Sequence, residues 1–331
     1  MLQLNLDKAV QAVLKKKAKI VAVQIPEGLK QRALEIASKI EEKTGAVVFT
    51  FVNPCYGACD LIDAEAKRVG ASLLLHFGHS QFVSKTDIET VYLPLGYELK
   101  KGELAVLANE VTKKIGKAKK VALCSTIQYL GHLKVFAELL EKKGLEVFVG
   151  KGKGVSTGQV LGCNYSSVKS VERKVEAVVF LGDGLFHVLG ISFSSNKPVF
   201  TANPMSSEVY ELKNEKDLFL RKRYAVIARA MDAKRFGILL SSKRGQLKGK
   251  LALKLKQKIE AKGRKAFIFV SDFVKPEYII GIKVDALVST ACPRIAFDDS
   301  SYFKQPLLSP SELSMVFGEK KLENYKIDEF L

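Results

Sequence analysis

Cys59, Cys163 and Cys292 lie far apart in the chain but in similar surroundings. Each sits in a loop-like stretch just beyond an apolar run: "NPCYGACD" (53–60), "GKGKGVSTGQVLGCNYSS" (150–167) and "TACPRI" (290–295). Three thiolates gathered from distant loops can hold a cubane iron–sulfur cluster with one iron left open, because such clusters need soft ligands. Zinc fits the spacing less well, since neither a C-x-x-C nor an H-x₃-H pair is present. Cys124, in "VALCS", ends an apolar run and reads as a buried structural residue. Cys55 and Cys59 form C-x-x-x-C, the start of the radical-enzyme pattern C-x-x-x-C-x-x-C, but Ile62 stands where the third cysteine would be. Cys55 therefore reads as a neighbour of the site, not a ligand.

The elements that must position these loops recur three times. Residues 19–52, 120–150 and 235–270 each read as apolar run, turn, long amphipathic helix and second apolar run. Matching apolar runs follow at 68–80, 174–187 and 283–295, and a further strand closes each unit. Short Val/Ile/Leu runs without polar alternation, separated by helices, predict parallel strands buried on both faces. Helix-like stretches at 5–16, 102–115 and about 207–232 precede the units. The expected fold is α/β: three repeated small domains, each a parallel four-stranded sheet with flanking helices, about a pseudo-threefold axis. The boundaries fall at 1–100, 101–206 and 207–331. Open parallel sheets bind ligands beyond the carboxyl ends of their strands, and the cysteine loops leave those ends. Cys59 and Cys163 occupy equivalent loops, whereas Cys292 follows the next strand and breaks the repeat.

The 331 residues carry a formal charge of +18, with 47% hydrophobic and 27% charged residues, as in a globular protein. An odd cysteine count at irregular spacing does not make a secreted disulfide framework. Neither an apolar stretch of about 20 residues nor a signal-peptide pattern is seen, so no membrane and a cytoplasmic location are expected. The positive charge favours acidic partners. The basic helix at 248–265 lacks interleaved aromatics, so nucleic acid is not an expected partner.

The motifs "YGACD", "HFGHS", "LGC", "LGDGLFH" and "ACPRIAFDD", in that order, resemble those of the 2-(3-amino-3-carboxypropyl)histidine synthases. That family performs the first step of diphthamide biosynthesis, and the likeness covers nearly the whole chain. Asp60 follows Cys59 where eukaryotic relatives have a second cysteine. The resemblance implies a homodimer of the archaeal type and a 4Fe–4S cluster on Cys59, Cys163 and Cys292. It implies transfer of the 3-amino-3-carboxypropyl group of S-adenosylmethionine to C2 of a histidine in translation elongation factor 2. Reductive cleavage of the Cγ–S bond would release methylthioadenosine, with an electron donor of unknown identity.

For the cosubstrate, Gly182, Asp183 and Gly184 would let backbone N–H groups approach a carboxylate or ribose; an ordinary strand-end turn is the alternative. Arg294 would clamp the methionyl carboxylate, against a structural ion pair. His79 and His187 are the catalytic candidates, able to donate hydrogen bonds or relay the ring proton; His76 and His132 rank below them. The other readings are a quinolinate synthase-like cluster enzyme acting on small metabolites and a non-catalytic basic scaffold binding RNA or ribosomes.

Overall fold

Short runs such as "IVAVQ" and "LLLHF" fold as parallel strands in the computed structural model, which describes residues 2–329. The chain forms two compact units. The first contains residues up to Leu99, joined by Ile127–Gly131 and Lys243–Gly245; the second contains the rest.

In the first unit, β1 (Leu2–Gln3) and β6 (Gly96–Tyr97) make a two-residue antiparallel ribbon. The main sheet has the order β3-β2-β4-β5, from β2 (Ile20–Gln24), β3 (Val47–Phe51), β4 (Leu73–Phe77) and β5 (Glu89–Leu93), all parallel. Every residue of β4 is buried, the mark of a strand covered on both faces. On one face α1 (Leu6–Lys16) and α2 (Ala33–Thr44) bring Leu6, Val13, Ile36 and Ile40 against Val21, Val23, Leu73 and Leu75. Asn5 caps α1 by accepting from Lys8 N–H at 3.0 Å, and Gly45, at φ 68°, ends α2. The other face packs Ala22 and Leu74 against Leu61, Ile62 and α3 (Asp63–Arg68).

The second unit holds two sheets. One comprises β7 (Lys120–Ser125), β8 (Glu146–Phe148), β9 (Ala177–Leu181), β10 (Val199–Asn203) and β11 (Glu208–Glu211), in the order β11-β10-β9-β7-β8. The other comprises β12 (Arg235–Ser241), β13 (Lys265–Ser271), β14 (Ala286–Ser289) and β15 (Leu307–Leu308), in the order β13-β12-β14-β15, all parallel. Helices α4 (Lys101–Lys114), α5 (Leu133–Glu141), α6 (Ser166–Lys169), α7 (Leu185–Ser194), α8 (Lys213–Ala230), α9 (Gly249–Ala261), α10 (Pro293–Phe297) and α11 (Pro310–Val316) accompany them. The parallel strands of all three sheets thus share one order, second-first-third-fourth along the chain, as the repeat predicts.

One departure concerns the middle sheet, which has a fifth strand where four parallel ones were expected. β11 pairs antiparallel to β10, after a tight connection that ends at Ser207 with φ 57°. The helix expected from about 207 therefore starts only at Lys213. No helix among the described residues is long and apolar enough to cross a membrane.

A buried charge network braces the third sheet. Arg223 on α8 donates from Nε and Nη2 to Glu312 at 2.7 and 2.6 Å, and both side chains are almost wholly buried. Its guanidinium also donates to the carbonyls of Ala296, at 2.6 Å, and Leu307, at 2.8 Å, while the Tyr325 hydroxyl donates to Glu312 at 2.7 Å. Ala296 lies in α10, the short helix that begins directly after Cys292, so this network helps fix that cysteine's place.

Candidate functional site

In the first unit, Cys59 lies in the loop beyond β3. Asp60 N–H donates to Gly57 O at 3.0 Å and folds a tight turn around it. A Cβ on Gly245 would come within 2.5 Å of both Cα and O of Cys59, so only glycine lets that segment pack there. The next residue, Asp60, is buried with its carboxylate ion-paired to Lys243. Burial is the main cause raising the Cys55 thiol to about 12, helped by the Asp60 charge, so Cys55 is protonated.

Beside this loop runs a hydrogen-bonded chain. Gln24 ends β2 and stands in register with His76 on β4. Its Nε2 donates to Asp60 O at 2.6 Å, which turns its Oε1 toward His76 Nδ1, 2.8 Å away. His76 Nδ1 must then be the donor. Burial, followed by neighbouring His79, lowers His76 to about 3, so the ring is neutral and its Nε2 is an acceptor. His79 Nδ1, 3.0 Å from that nitrogen, supplies the proton. His79 is itself lowered by burial to about 4.

In the second unit, Cys163 and Cys292 both act electrostatically on Tyr165. This phenol is buried, and its pKa is raised well above normal by burial first, then by Cys163, Glu329 and Cys292. Cys163 sits in a narrow turn closed by the reciprocal backbone bonds of Leu161 and Asn164, at 3.0 and 3.1 Å. The Tyr165 hydroxyl donates to Gly162 O at 2.8 Å. Cys292 caps α10, where Pro293 takes the first helical position.

Phe186 packs so closely on Gly162 that a Cβ there would lie 1.8 Å from its ring. Gly162→Ala must therefore push Phe186 or the Cys163 turn aside. The expected loss is about 1–3 kcal/mol, as for other overpacked sites, read from the denaturant midpoint.

The remaining candidates gather in the same unit. Gly182 extends the end of β9 by donating to Ala202 O at 3.1 Å; Asp183 follows, and Gly184, at φ 76°, caps α7. His187 is neutral, lowered to about 4 by burial and then by the Arg294 charge. Arg294 lies over Phe186, 5.4 Å from the ring centre, and its Nε donates to Asp298 at 2.7 Å. The ion pair weighed against a carboxylate clamp is thus present. His132 stands at the start of α5, and Cys124 is buried in β7 with its thiol 3.8 Å from Val179 O.

Tyr165, Phe186, Gln24 and Lys243 escaped the sequence reading. Gln24 carried a signal, being the one polar residue in "IVAVQ".

Residues 25–326 match the family of diphthamide synthesis proteins. The chain belongs to that family. Among its diphthamide-family relatives, the 2-(3-amino-3-carboxypropyl)histidine synthase of Pyrococcus horikoshii is 37% identical over 316 residues, covering 95% of this chain and 90% of the relative. Subunit 1 of the Homo sapiens synthase is 30% identical over 321 residues, covering 95% and 72%. The crystal structure of Dph2 from P. horikoshii with a 4Fe-4S cluster superposes with a TM-score of 0.92 at 34% identity, covering all of this chain and 95% of that one.

Proposed function

We propose that the chain transfers the 3-amino-3-carboxypropyl group of S-adenosylmethionine to C2 of a histidine in translation elongation factor 2, releasing methylthioadenosine. The observation that carries this is membership of the diphthamide synthesis family over residues 25–326. The cluster in the superposable P. horikoshii protein supports the same reading. Three thiols presented from loops, with Cys59 wedged by Gly245 and the Cys163 turn by Phe186, suit a thiolate-ligated 4Fe–4S cluster. Such a cluster, when bound, would supply the electron that breaks the Cγ–S bond and take one back as the ring adduct loses its C2 proton, leaving the transfer redox-neutral overall.

The chain's own residues bind and orient. Asp183 and Gly184 offer backbone donors at a strand end to the cosubstrate, while Gly182, whose N–H is engaged with Ala202 O, would allow its close approach. Arg294, with Nε held by Asp298, would meet the methionyl carboxylate through its terminal nitrogens. His187 and His79, both neutral, are the groups able to accept the ring proton. C2 of a neutral imidazole is a poor nucleophile, so placing the sulfonium with Cγ–S toward the open iron is the main task; positioning can contribute on the order of 7–11 kcal/mol.

The working enzyme is read as a cytoplasmic homodimer of three-domain chains (1–100, 101–206, 207–331) served by a separate electron donor. Anaerobically purified protein should contain about four irons and matching sulfide per chain. A folded chain that stays iron-free after anaerobic reconstitution contradicts the proposal.

A further inference from the structure

In the first unit, Cys55, His76 and His79 each offer one potential ligand atom, and these atoms all lie within 4.8 Å of one another. None of them belongs to the three-cysteine set. We infer that these residues form a separate mononuclear site for a zinc-type divalent ion, completed by a water.

The geometry supports a metal beyond the bare grouping. His76 Nε2 and His79 Nδ1 are 3.0 Å apart. Two imidazoles on one tetrahedral zinc, each at about 2.0–2.1 Å, have nitrogens ~3.3 Å apart, so the pair needs to open only slightly. The His76 ring is already oriented. Its Nδ1–H donates to Gln24 Oε1, and Gln24 is held in turn by Asp60 O. Histidine ligands ordinarily fix their second nitrogen in this way.

The supporting backbone is closely packed. His76 ends a fully buried strand, and Gly78, at φ 93°, makes the turn that returns His79 over it. A Cβ on Gly78 would meet Pro26 Cγ at 2.9 Å. Cys55 is buried, whereas His79 is only half-buried and leaves a side for water. One thiolate with two neutral imidazoles is a borderline-soft donor set that suits zinc.

Binding has a defined proton balance. The Cys55 thiol proton leaves to solvent as the Cys55–metal bond forms. His79 shifts its proton from Nδ1 to Nε2, freeing Nδ1 for the ion. The metal-free tautomer is the Nδ1–H form derived above, so the two states differ in a measurable way. His79 then serves as a ligand, leaving His187 as the catalytic candidate.

The test uses chelator-stripped protein carrying Cys59→Ala, Cys163→Ala and Cys292→Ala, titrated with Co²⁺ and then Zn²⁺. One equivalent of cobalt should bind with a thiolate-to-metal charge-transfer band, and zinc should displace it. Cys55→Ala should remove the band. Gln24→Ala should weaken binding about 10–100-fold, as for other residues that orient a ligand. In ¹⁵N spectra, His79 should change from the Nδ1–H to the Nε2–H tautomer when zinc is added. The absence of stoichiometric binding, or binding that survives Cys55→Ala unchanged, overturns the site. If the triple variant fails to fold, the stripped wild-type chain is compared with Cys55→Ala, and an identical pair of spectra overturns the site equally. In the triple variant, loss of the iron cluster reading would leave these results unchanged, because no cluster ligand is present.

Discussion

Cys59→Ala, Cys163→Ala and Cys292→Ala should each lose most of the iron and all detectable group transfer, while Cys124→Ala keeps both. A cubane held by three thiolates cannot give one up without exposing a second iron, so each loss should take the iron from about four per chain toward none. Cys124 is the internal control. It is wholly buried in β7, burial raises its thiol, and the thiol is turned to Val179 O. The readout is iron and sulfide per folded chain, with circular dichroism confirming that the fold survives. Equal iron loss on changing Cys124 would overturn the ligand assignment.

Arg223→Met should cost about 3–5 kcal/mol of stability, the usual penalty for leaving one member of a buried ion pair alone. Glu312 has no accessible surface and would be left buried without its guanidinium partner, held by the Tyr325 hydroxyl and the Ser309 N–H. The change also removes the donors to Ala296 O and Leu307 O, so α10 loosens behind Cys292. Two effects are expected together: a lower denaturant midpoint and faster loss of iron. The double change Arg223→Met with Glu312→Gln should recover part of the stability, because the orphaned charge is gone. A single-variant loss below about 1 kcal/mol, the range of exposed pairs, would show that the network does not brace the sheet.

Much of this architecture is legible from residue order. Apolar runs of "IVAVQ" type separated by amphipathic helices dictate parallel strands, and a threefold repeat of the pattern gives three sheets of one strand order. The loops bearing Cys59, Cys163 and Cys292 follow from the same reading, because chain direction decides which end of a parallel strand a loop leaves. β11 was hidden because "EVYE" is short and runs directly into a helix, with only the turn at Ser207 separating it from β10.

Cross-element contacts were not legible. Gln24 reaches His76 only because β2 and β4 pair in a particular register, and Phe186 meets Gly162 only after α7 packs on the Cys163 turn. The grouping of Cys55 with His76 and His79 has the same origin: spacing along the chain gives an H-x-x-H and a distant cysteine, and folding brings them together.

The most direct test of the central claim is which bond of S-adenosylmethionine breaks. The reduced, cluster-loaded enzyme is incubated anaerobically with S-adenosylmethionine and elongation factor 2, and the nucleoside product is identified by mass spectrometry. Methylthioadenosine is expected, with one aminocarboxypropyl group appearing on a single histidine of the factor. Formation of 5′-deoxyadenosine and methionine instead, or of neither nucleoside while the cluster remains intact and reduced, would contradict it.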